Sequence, residues 1–135
     1  MNRKEPTMAL IFNPMIDNLK LTITKDIANA EIAVEYDINW SGFDQLTNLS
    51  YNEKWELVGD DAGTTTTIFV GPMLVNGVSS NGNATTHRTK GATIPWSDLD
   101  EDPNNLDEIA AIVTLTPLLP LTKVAKSALV VVDAP

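Results

Sequence analysis

The eleven residues Ala30 to Trp40, AEIAVEYDINW, constrain the fold more than any other stretch of the chain. Ile32, Val34, Tyr36, Ile38 and Trp40 occupy every second position, and Glu31, Ala33, Glu35, Asp37 and Asn39 fill the gaps. Successive side chains of a strand point to opposite faces, so this alternation specifies a long strand with one dry and one wet side. On a helix of ~3.6 residues per turn, the five apolar side chains would spread around the whole circumference. The segment therefore belongs on the face of a β core. It supplies scaffold rather than chemistry.

The same period recurs on either side. Leu19, Leu21 and Ile23 alternate with Lys20, Thr22 and Thr24, which predicts a strand ahead of a turn over Lys25 to Asn29. Ser41 to Gln45 reads as loop, and Tyr51 to Gly59 as the next strand. There Tyr51, Glu53, Trp55 and Leu57 share a face, with Trp55 and Leu57 expected to reach the core. Asp60 to Gly63 is a turn cluster. Short, turn-rich strands should follow, where Thr64 to Thr67 and the apolar run Ile68 to Val70 lead to Gly71-Pro72, and Met73 to Val75 to the hairpin signals Asn76-Gly77 and, after Val78, Asn81-Gly82, because Asn and Gly tolerate the positive φ of a type I′ turn. Thr85 to Thr93 is a polar strand, Ile94 to Glu108 an acidic connection, and Ile109 to Thr116 (IAAIVTLT) a central strand. Pro117 and Pro120 break the chain before a closing strand over Lys123 to Val132. At the N-terminus, residues 1 to 7 read as a loose arm, and Met8 to Phe12 as a short edge strand ended by Pro14. No helical period of useful length and no internal repeat is present.

About seven short strands separated by Gly, Pro, Asn and Asp clusters predict an all-β, antiparallel β-sandwich. It forms one domain over residues 1–135, with its core in 19–132. The order of features resembles that of immunoglobulin-like and fibronectin type III-like sandwiches. IAVEYDINW ends the second strand on a tryptophan, YNEKWEL is the third, and the run from TIPWSDL through EIAAIVTLTP to AKSALVVV matches the last three. The chain departs from the immunoglobulin pattern in having no Cys pair, and in placing Ala110 and Ala111 where a tyrosine corner would stand. The resemblance implies the fold class alone, since this architecture hosts binding, adhesive, structural and linker roles.

Composition narrows the functions. Eighteen acidic against nine basic residues give a net charge of −9, a field that repels nucleic acid and anionic membrane surfaces. The absence of cysteine removes disulfides, thiol catalysis and Cys-ligated metals. A mean hydropathy of −0.05, with no apolar run near the ~20 residues of a membrane span, describes a soluble globular chain without a visible targeting segment, and leaves its compartment open.

The sharpest local feature is the acidic connection. Asp98, Asp100 and Asp102 lie on alternate residues, with Asn104, Asp107 and Glu108 close behind, a hard-oxygen set suited to Ca²⁺. It is not an EF-hand: Pro103 stands where the invariant Gly belongs and Ile109 where the bidentate Glu belongs. The plainer and preferred reading is a solvated loop, with Ser97 and Asp98 capping one helical turn. Trp96, at the mouth of this loop, either stacks on a carbohydrate or partner side chain or plugs the end of the sandwich. His87, the lone histidine, lies on a polar strand with no nucleophile-elbow sequence anywhere, so no catalytic residue is assigned. Asn39, Asn48 and Asn83 head N-x-S/T triplets, as chance allows in so polar a chain.

The expected function is accordingly a non-catalytic module for protein–protein interaction, adhesion or assembly, with another protein or a further copy of itself as partner and no resident cofactor. A small calcium- or carbohydrate-binding module built on residues 96–108 is the alternative, and a hydrolase ranks third.

Overall fold

The computed structural model describes residues 14–61, 64–99, 107–117 and 123–133. Met8 to Phe12, expected as an edge strand, lie outside them. The described residues form two antiparallel sheets packed face to face, a β-sandwich as the sequence predicts. One sheet has the order β1-β2-β6, with β1 at Met15–Lys25, β2 at Asn29–Asn39 and β6 at Thr85–Pro95. The other is built on β3 (Tyr51–Asp61) and β7 (Asp107–Pro117); β4 (Thr64–Val70) and β5 (Leu74–Val78) pair with β3, and β8 (Lys123–Lys126) and β9 (Val130–Val132) with β7.

The register shows why β2 dominates the pattern. It pairs with β1 on one side and, in an unbroken run from Asn29↔Pro95 to Asn39↔Thr85, with β6 on the other. Its alternate residues Ile32, Val34, Tyr36 and Ile38 are all buried, as is Trp40 just beyond its end. Across the interface they meet Tyr51, Trp55, Leu57, Ile109, Ala111, Val113 and Leu115 in one continuous core. Trp40 packs on Tyr51 and Trp55 on Phe69, each with ring centroids 5.5 Å apart, so these two tryptophans anchor separate aromatic pairs. Burying an indole contributes about 4–6 kcal/mol at ~25 cal/mol per Å².

The structure corrects the sequence reading in three places. Gly42 to Gln45, expected as loop, belong to a helix, α1 (Gly42–Thr47). A helix this short has no stability of its own. Its Ser41 cap accepts the Asp44 amide at 3.1 Å, and Asn48, at φ 53°, closes its other end by donating to the Asp44 carbonyl. The closing strand is split into β8 and β9, because the Ser127 Oγ accepts the Ala111 amide at 2.7 Å in place of a regular strand carbonyl; the described strands number nine rather than seven. Finally, neither Asn-Gly makes a hairpin. Asn81 and Gly82 take positive φ, but their flanking strands β5 and β6 belong to different sheets, and Asn76 lies inside β5.

Gly71 tests the packing around Trp55. It is buried, its amide donates to the Trp55 carbonyl at 2.9 Å, and a Cβ there would collide with the Trp55 indole. Gly71→Ala is expected to lower unfolding stability by about 1–3 kcal/mol. Gly42→Ala, with nothing within 4 Å and at the start of a helix, should be neutral or add up to ~1 kcal/mol; urea denaturation of both variants measures the contrast.

Candidate functional site

Tyr51, Glu53, Trp55 and Leu57 share the inward face of β3 as the spacing predicts, but the two residues expected to fall short of the core are as deep as the other two. Tyr51 is 0% and Glu53 1% exposed. An isolated carboxylate in that position costs several kcal/mol of lost hydration. Glu53 is instead surrounded by donors from the opposite sheet. Arg88 grips it with both arms of its guanidinium, Nε to Oε2 at 2.9 Å and Nη2 to Oε1 at 2.7 Å. Lys90 Nζ reaches Oε1 at 2.5 Å, and the Tyr36 hydroxyl donates to Oε2. Each carboxylate oxygen thus accepts two donors. The register places them: Tyr36 lies opposite Arg88, and Val34 opposite Lys90, so β2 and β6 present the three donors along one inward stripe.

The electrostatics follow from burial and these contacts. Desolvation pushes Glu53 toward protonation, but the Arg88, Lys90 and Tyr36 bonds outweigh it and hold the carboxyl below its ordinary value. Tyr36 moves the other way: burial, then the bond to Glu53, raise its phenol well above the ordinary range. Tyr51 is raised for the same reasons, burial first and then its 2.6 Å bond to the Asp44 Oδ1. Asp44, itself fully buried, also accepts from the Ser41 hydroxyl at 2.7 Å, while Ser80 Oγ donates to its backbone carbonyl at 2.8 Å. A second polar knot therefore ties α1 and the turn over residues 80–83 to β3.

The residues singled out from sequence lie elsewhere. Trp96 is 7% exposed, its backbone amide donates to the Ala28 carbonyl at 3.0 Å, and Lys25 Nζ stands 5.2 Å from its ring centroid. It closes one end of the sandwich, opening the 3₁₀ turn Trp96–Leu99 whose Leu99 is also buried. Asp98 is exposed on that turn. Asp107 begins β7 opposite Val132, and Glu108 is exposed opposite Val131. Asp100, Asp102 and Asn104 lie outside the described residues. Among the described residues, no three His, Asp or Glu side chains gather into a group able to hold a metal ion. His87 is on the outer face of the first sheet, half exposed, with Nδ1 2.7 Å from Asp37 Oδ1 and Nε2 3.5 Å from Glu35. Asn18 donates to the other Asp37 oxygen at 2.9 Å, and this bond, then the one to His87, lowers the Asp37 carboxyl.

Two signals in the sequence point to the Glu53 cluster. Glu53 is in phase with the apolar residues of its strand, and Arg88 and Lys90 are in phase with the buried Ile94 of theirs. Opposite charges on two inward phases imply that they meet.

The chain has two tyrosines, both buried donors to carboxylates. A group whose folded pKa is raised contributes stability that is present below its unfolded value of about 10 and is lost as pH rises past it. Phenolate absorbance should therefore stay flat through pH 10 and rise only together with the loss of the β-sheet circular dichroism signal. A phenol titrating near pH 10 in the intact fold would contradict this placement.

No protein-family model matches the chain, and no curated protein matches it. Among solved structures, the crystal structure described as the "Putative ApaA Protein from Bordetella pertussis" aligns with a TM-score of 0.41 at 9% identity, covering 92% of this chain and 95% of that one.

Proposed function

We propose that the chain is a non-catalytic interaction module with immunoglobulin-like or fibronectin type III-like strand order. The division of strands supports this order: the first two strands join β6 in one sheet, while the middle strand β3 pairs with the late strands in the other, as in an A-B-E against C-F-G arrangement. One observation carries the interaction reading. Val70, Met73, Leu74 and Val75, within six consecutive residues, are 51%, 52%, 40% and 65% exposed. So many exposed apolar side chains within one short segment favour a binding region there. The buried carboxylates Glu53 and Asp44 are, by contrast, committed to structural partners, which leaves the rim rather than the interior for recognition.

A photo-reactive amino acid placed at Met73 in the native cell tests the reading, with Thr22, exposed on β1, as control position. The expected result is a recurrent cross-link to one protein from position 73 and none from position 22. Equal background from both positions, with a melting temperature raised by millimolar Ca²⁺, would overturn it in favour of cation binding.

A further inference from the structure

β6 is the outer strand of the first sheet. It holds eleven residues in continuous register with β2, without a bulge, and among the described residues nothing pairs with its other side. The other border strands are interrupted: β1 shifts register between Asp17 and Lys20, β4 opposite Leu57 and Val58, and the β8–β9 border breaks at Ser127. A straight, unpaired row of N–H and C=O groups is a template for another extended chain.

The side chains along this flank decide which chain. Leu74 of β5 stands opposite Glu53 and shares its inward face, yet is 40% exposed, so the flank between β5 and β6 is open there. Arg88 and Lys90 reach into it with 25% and 12% of their side chains exposed. Two cations face one carboxylate, which leaves the cluster one positive charge in excess. Thr85 to Pro95 contains no Asp or Glu, although the chain has 18 acidic residues. A second copy is disfavoured by the same charges. Antiparallel β6–β6 pairing centred on Thr89 sets Arg88 against Lys90 of the other copy, and centring on Lys90 sets Lys90 against itself. The inward cations that repel a wholly apolar strand or a second copy also select a strand that brings a carboxylate.

We propose that β6 accepts, as a fourth strand of its sheet, an extended segment of another protein with acidic and aliphatic side chains on its inward face. The carboxylate meets the spare charge of Arg88 and Lys90, and the aliphatic group covers Leu74. This rests on the interaction-module reading and names the surface and partner chemistry for it.

Blocked synthetic peptides of about ten alternating residues, titrated into ¹⁵N-labelled protein, test the proposal. Salt is kept near 0.15 M, where screening over ~8 Å suppresses repulsion from the chain's net charge. A peptide with inward Glu and Val should shift the Thr85–Thr93 amides and bind about tenfold or more tightly than its Gln–Val counterpart. A Lys–Val peptide should not bind. N-methylation of one alternate set of Glu–Val amides should abolish binding, and of the other set leave it intact. Leu74→Glu, on the exposed lip, should keep the melting temperature and weaken the Glu–Val peptide at least tenfold. Equal binding of the Glu–Val and Gln–Val peptides, shifts confined to other strands, or no shifts at all would overturn the proposal. If position 73 captures a protein while the peptides leave β6 unmoved, the module reading stands and strand addition falls.

Discussion

Glu53 enters the space between the two sheets as a charge, and its surroundings have to supply what water gave up. Four donor contacts from three side chains do so, all from the opposite sheet. Apolar packing between sheets is tolerant of sliding, because one methyl group replaces another at small cost. A bidentate guanidinium–carboxylate pair is not, since its two bonds exist in one geometry only. Glu53 therefore fixes how β3 lies against β2 and β6, while the surrounding aromatic and aliphatic side chains supply most of the cohesion.

Asp44 repeats the device at one end of the sandwich. Its side chain accepts from Tyr51 and Ser41, and its backbone carbonyl from Asn48 and Ser80, so a six-residue helix that could not form alone becomes a fixed corner. Both tyrosines of the chain serve these two carboxylates, and their raised phenols express the same dependence from the donor side.

What could be read from sequence was local. The inward face of β2 was legible residue by residue, because strand alternation depends only on neighbours two positions away. Trp40 and Trp55 fell in the core for the same reason. Alternation puts Glu53 on the correct face but does not fix its depth, because its neutralising partners lie 35 and 37 residues later and only the tertiary fold decides that they meet. Helix α1 escaped because fewer than two turns show no period, and the break at Ser127 because a serine hydroxyl replaces a strand carbonyl without changing the apolar pattern. The acidic connection was conspicuous in sequence as a run of charge. Of it, the described structure places Asp98 and Glu108 at the surface and Trp96 inside.

The interior is occupied with holding the sheets together, and the interaction role proposed for the chain falls to the rim. The open flank joins the two, since Arg88 and Lys90 belong to both the interior cluster and the exposed edge. The most direct measurement of this account is the ¹³C titration of the Glu53 side-chain carboxyl. A depressed folded pKa gives stability that is present above the unfolded value of about 4.3 and lost as pH falls through the folded one. The resonance should still show its ionised shift at pH 4.3 and protonate only below it. A carboxyl that protonates at or above its ordinary value in an intact fold would contradict the claim that a charged Glu53 pins the two sheets.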